Sequence, residues 1–170
     1  MTFRLWLLVA LVALGGSGCA GYKLGPVNGM VAREKSIQIN PFANQTLEPR
    51  LGDAVTAQLR QQLQSDGTFQ LASHDDGDIV VSGAVTHYFR YEVSFAASDI
   101  LTVRDYRLEA IAQVTARSRS TGKIILNQPV TGRTLIRVTT DLSSTERQAL
   151  PLLATDLAQN ITALLAEGAW

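Results

Sequence analysis

Apolar and polar positions along the chain follow three patterns in turn: an unbroken apolar run, a two-residue alternation and a helical three-to-four spacing. The run is Leu5 to Leu14. Alternation starts at Lys35 to Phe42, where Ile37 and Ile39 stand against Ser36, Gln38 and Asn40, the period of a half-buried strand. Helical spacing takes over with Leu51, Val55, Leu59 and Leu63, joined by Ala54 and Gln62, while Arg60, Gln61 and Gln64 take the wet side. Thr46 is placed to accept the first free amide hydrogens of this helix, with Glu48 and Pro49 in its opening turn. Asp66-Gly67 ends it.

The longest alternation runs from Asp78 to Phe95, with Ile79, Val81, Gly83, Val85, His87, Phe89, Tyr91, Val93 and Phe95 assigned to one face. A linker at Ala96 to Leu101 turns the chain into a second long strand, Val103 to Arg119. Ser120 to Lys123 is a hairpin turn with Gly122 where positive φ is needed. Ile124 to Val138 reads as a third strand, interrupted near Pro129. Ser143 and Glu146 form a capping-box pattern ahead of a second helix marked by Ala149, Leu152, Leu153, Asp156, Leu157, Asn160, Ile161, Leu164 and Leu165. Pro151 kinks that helix or marks its effective start.

The element order is therefore β-α-β-β-β-α, and the fold class is α+β. Short connections favour antiparallel neighbours, giving a two-layer sandwich with a mostly antiparallel four-stranded sheet and both helices packed on one face. Three strands of about fifteen residues, where five or six are usual, would project beyond the helices.

The apolar run at the start is too short to span a bilayer, which takes about 20 residues. Behind one basic residue and ahead of Gly15 to Gly18, it has the order of an export signal. Ser17-Gly18-Cys19 resembles the lipobox of bacterial lipoproteins, although Gly16 stands where leucine is usual. Cys19 is the only cysteine and has no disulfide partner in the chain, so lipidation is its most economical explanation. The expected organisation is a signal peptide over 1–18, a lipidated tether over 19–34 and an α+β domain over 35–170. The cofactor expectation is none apart from covalent diacylglycerol and an N-acyl lipid on Cys19. Beyond Cys19 no run is expected to cross a membrane.

Without the leader, 14 basic residues face 15 acidic ones. Such a balance speaks against indiscriminate nucleic-acid binding. No metal is expected, because the acidic loop His74 to Asp78 lacks the closing Glu of a calcium loop. Catalytic signals are weak: His87 is a lone strand histidine, Asp53 and Asp156 have no carboxylate partner, and nucleophile elbow, zinc helix and phosphate-cradling glycine loop are missing. Charge placement says more. Arg90, Arg104, Arg107, Arg133 and Arg137 run towards one end of the sheet, whereas Arg117, Arg119 and Lys123 cluster at the other. Guanidinium groups suit phosphate and carboxylate.

Cys19-Ala20-Gly21-Tyr22-Lys23-Leu24, the passage from Ser36 to Thr46 (SIQINPFANQT) and Asp78 to Gly83 (DIVVSG), taken in order, resemble the LPS-assembly lipoprotein family LptE from Cys19 to about Leu165. The resemblance implies a non-enzymatic lipoprotein anchored on the periplasmic side of the outer membrane. There it would plug and help assemble the LptD β-barrel and bind lipopolysaccharide, with Arg90, Arg104 and Arg137 as candidate lipid contacts. The INPFANQT passage also resembles lipoproteins that activate peptidoglycan synthases and those of curli-type secretion, which is the alternative.

Overall fold

The computed structural model describes residues 33–167 apart from 98, 139 and 140. The expected signal peptide, Cys19 and nearly all of the tether lie outside the described residues. Among the described residues, six strands and two helices follow the order β1 (Ser36–Ile39), β2 (Ala43–Asn44), α1 (Leu51–Asp66), β3 (Gln70–Leu71), β4 (Ile79–Ala96), β5 (Asp99–Ser118), β6 (Ile124–Arg137) and α2 (Leu142–Glu167).

The sheet runs β3-β1-β4-β5-β6, with β2 also paired to β4. It is larger than the expected four strands because β2 and β3, two residues each, are too short to leave a period in the sequence. β1, β2 and β3 join it in parallel, through β1 to β3, β1 to β4 and β2 to β4. The three long strands pair antiparallel as expected. The turn between β4 and β5 is tighter than the expected Ala96 to Leu101 linker, since β5 already begins at Asp99. Pro129 does not interrupt β6: it lies opposite Gln113 on an edge strand, where its missing N–H costs no ladder bond.

Both helices feed one core. Leu51, Val55, Leu59 and Leu63 of α1 meet Leu153, Leu157, Ile161 and Leu165 of α2 over Ile79, Val81, Val85, Leu108 and Val114 of the sheet, all essentially inaccessible to solvent. Each such side chain contributes about 1.5–3 kcal/mol by leaving water. Leu152 is an exception, exposed on the far side of α2. α2 is also long and apolar enough to cross a membrane by length and composition, contrary to expectation; half of its most apolar stretch is buried against the body, as a core helix requires.

Helix starts differ from the sequence reading. α1 begins at Leu51 behind Arg50, which has φ 62° and supplies no side-chain cap; Thr46 instead accepts from the Glu48 N–H at 3.2 Å. α2 is capped by Asp141, whose carboxylate accepts from the Ser144 N–H at 2.8 Å and the Ser143 N–H at 3.3 Å. Glu146 is thereby free to turn inward. Pro151 sits within an unbroken helix. Gly122 does take positive φ in the hairpin turn.

α2 lies hard against β6. A Cβ on Gly132 would stand 2.5 Å from the Leu157 Cβ and 2.7 Å from its backbone nitrogen. The outer edge of β6 is covered by the same helix: Arg133 N–H donates to Asp156 Oδ2 at 2.8 Å, and Asn160 Nδ2 donates to the Thr131 carbonyl at 2.9 Å.

The β4–β5 register shifts at four points, three of them between Glu92 and Ala96 near the tip, and the first sets the facing of the strand beyond the core. The β4 register skips a residue between Val85 and His87, which pair with Ala112 and Ile111. An extra residue reverses which face the following side chains take. Ile79, Val81 and Val85 are buried, whereas Phe89, Tyr91, Val93 and Phe95, expected on the same face, are 39–50% exposed. Tyr88 and Arg90 now point towards α2.

Candidate functional site

Beyond the bulge, β4, β5 and β6 form a long blade whose surfaces differ. On the outer face the His87 ring stacks on Phe89 with centroids 5.6 Å apart, and Phe89 meets Tyr91 at 5.9 Å. Arg107, directly across from Tyr91, holds its guanidinium carbon 5.1 Å from that ring's centre. Leu135, across from Arg107 on β6, is exposed. His87 is thus an exposed, stacked ring whose Nδ1 lies 2.9 Å from the Thr86 hydroxyl, not a residue packed among the apolar side chains of the core.

Asp105 and Arg137 are cross-strand partners near the tip of the blade. Arg137 Nε donates to Asp105 Oδ1 at 2.8 Å and Arg104 Nε to Asp105 Oδ2 at 3.0 Å; the Ser94 hydroxyl also donates to Oδ2. The carboxylate is sheltered, with 16% of its side chain accessible, against 48% for Arg104 and 65% for Arg137. Hydrogen bonds from Arg137 first, then Ser94 and Arg104, hold its pKa well below the usual carboxylate range, and Asp105 in turn raises that of Arg137. Two positive charges share one negative charge, so the group keeps a net positive charge. Nearby, Arg133 Nε donates to Glu109 Oε2 at 2.8 Å.

Arg90 belongs to a separate group on the helix side. Its Nη1 lies 2.9 Å from Oε2 of Glu146, whose Oε1 accepts from the Tyr88 hydroxyl. Burial and then the Glu146 bond push the Tyr88 hydroxyl pKa upward. These side chains line a cleft of about 620 Å³ between β4 and the loop Gln45 to Glu48. Of the three candidate lipid contacts, the fold therefore brings Arg104 and Arg137 together and sets Arg90 apart. Arg117, Arg119 and Lys123 are at the opposite end, where Arg119 Nε bonds the Gly77 carbonyl at 2.8 Å.

Sequence reasoning passed over Asp105, Ser94, Tyr88 and Glu146. A carboxylate directly following Arg104 was the available signal for the first; the others depend on register and on the inward turn of α2. In the acidic loop Asp78 accepts from the Ser36 amide and hydroxyl at 2.9 and 2.7 Å, and Asp75 from Gln38. Asp156 is held by the β6 backbone, and Asp53 is exposed in the first turn of α1. Among the described residues no group of three or more His, Cys, Asp or Glu is arranged to hold a metal.

Comparison with known proteins adds a family. Residues 34–165 match the family model described as LptE, lipopolysaccharide-assembly. Solved structures share the fold. A hypothetical protein from Chlamydia trachomatis is 10% identical with a TM-score of 0.56, covering 78% of this chain and 95% of that one. The PelC dodecamer protein of Paraburkholderia phytofirmans is 18% identical, TM-score 0.51, covering 84% and 95%. Rare lipoprotein B from Shewanella oneidensis is 12% identical, TM-score 0.50, covering 77% and 93%. No curated protein matches the sequence.

Proposed function

The chain belongs to the LptE lipopolysaccharide-assembly family, and on that premise we propose that it is a non-enzymatic lipoprotein of the outer membrane that plugs an LptD-type β-barrel and binds lipopolysaccharide as it passes. Cys19 carries the acyl chains, and the body hangs on the periplasmic side. Several acyl chains, each methylene worth about 0.8 kcal/mol, make such an anchor durable.

The observation that carries the reading is the amphipathic tip of the blade. Arg104 and Arg137 stand with about half or more of their side-chain surface in solvent, beside a row of half-exposed aromatic and aliphatic side chains on β4. An amphiphile with phosphate groups next to acyl chains presents the complementary pair of surfaces. A body with strands of 18, 20 and 14 residues also suits a barrel lumen too wide to be filled by the barrel's own side chains.

Reversing Arg104 and Arg137 to Glu together should lower lipopolysaccharide binding by about tenfold or more, and, because it gathers three carboxylates around Asp105, lower the thermal midpoint modestly without unfolding the body. Normal binding by that double variant removes the site assignment. Cys19→Ala should move the protein from the membrane to the soluble periplasmic fraction in cells lacking the barrel; retention there would refute lipid anchoring. Co-purification of a β-barrel protein from detergent extracts tests the partner, and its absence would remove the plug reading.

A further inference from the structure

The two bonds at the tip of the blade share one geometry, which Arg133 also adopts towards Glu109. Asp105 reaches both Arg104 and Arg137 through Nε, the inner nitrogen of the guanidinium, and uses a different oxygen for each. No hydrogen bond to a terminal nitrogen of either arginine is found among the described residues. A carboxylate that neutralises an arginine for its own sake usually takes the two-pronged approach. Here it grips each side chain from behind and leaves the outer prongs free.

We propose that Asp105 is a positioning residue: it fixes Arg104 and Arg137 as a preorganised two-arginine clamp for phosphate groups, and Ser94 holds Asp105 in turn. The proposal rests on the reading of this end of the blade as the lipid-binding site and deepens it by naming what orders it. Free arginine side chains must be immobilised when they bind, and each such ordering detracts from affinity. Cross-strand pairing sets Asp105 directly against Arg137, while Arg104 precedes it in sequence and leaves the strand on the opposite side. The two guanidinium groups therefore converge from different directions on one sheltered anion. The Ser94 hydroxyl occupies Oδ2 from the neighbouring strand, so the carboxylate is itself oriented.

The test turns on sign. Asp105→Asn removes a negative charge beside the site, and attraction between charges alone would then make phosphate binding tighter. Loss of positioning makes it weaker, by about tenfold for two side chains released. The measurement is binding of the detergent-solubilised full chain to lipid A micelles, with dephosphorylated lipid A alongside. Asp105→Asn should lose affinity for the phosphorylated lipid only, Asp105→Glu should recover part of it, and Ser94→Ala should show a smaller loss of the same kind while keeping every charge.

Unchanged or tighter binding by both Asp105→Asn and Ser94→Ala, with Arg104→Glu and Arg137→Glu still defective, overturns the positioning role and leaves the site reading standing. Normal binding by the arginine variants would overturn the site itself. An equal loss for both lipids in Asp105→Asn would refute a phosphate clamp.

Discussion

Gly132 shows how little room a single position can leave. With Leu157 backbone and Cβ atoms 2.5–2.8 Å from where its Cβ would stand, alanine cannot enter without moving α2 off β6. Backbone neighbours do not yield as a flexible side chain would, so Gly132→Ala should lower stability by about 1–3 kcal/mol, read as a reduced midpoint in denaturant. An unchanged midpoint would mean that the helix rides more loosely than this contact implies. In the sequence Gly132 is one small residue in an alternating strand, and only the arrival of α2 explains it. Asp105 was equally hard to read: it occupies a polar position, as alternation demands, but the convergence of two arginines on it is set by the β5–β6 register.

At the scale of elements, the long strands and both helices were legible because each repeats its period many times. β2 and β3 were not, since two residues carry no period and join the sheet only because β1 and β4 present free backbone groups. The reversal of faces in β4 was also invisible, because the alternation of residue types continues unbroken through Val85 and His87. β6 illustrates how an exposed edge is managed: Pro129 offers no N–H, and Asp156 and Asn160 of α2 take the Arg133 N–H and the Thr131 carbonyl. Replacing both Asp156 and Asn160 with Ala should expose that ladder and yield concentration-dependent self-association, detected by light scattering. A monomer at all concentrations would show that the bulk of α2 suffices without these bonds.

For the whole molecule, the carboxylates with lowered pKa values dominate the response to acid. Hydrogen bonds from Ser36 lower that of Asp78, those from Thr102 and Leu101 lower that of Asp99, and Ser144 lowers that of Asp141, alongside Asp105. Such groups bind protons more weakly in the folded state, so their contribution is fully present above the unfolded Asp value of about 3.9 and is lost as pH falls below it. Glu48 opposes the trend: burial first, then the charge of Glu146, raises its pKa. Four against one gives a thermal midpoint that is level above about pH 5 and declines steadily in stronger acid. A midpoint that rises on acidification instead would mean that the Glu48 cleft outweighs the rest.

The extra residue at Thr86 has a consequence for how this protein tolerates change. A substitution there would lose only the hydroxyl's bonds to the Ile111 carbonyl and the His87 ring, but excising the residue would rotate everything above it by half a turn. Phe89 and Tyr91 would be driven against the helices, while Tyr88 and Arg90 would swing out into water. The lower half would still fold while the upper half was turned inside out, which makes this one insertion the point where a stable body and a working surface are joined.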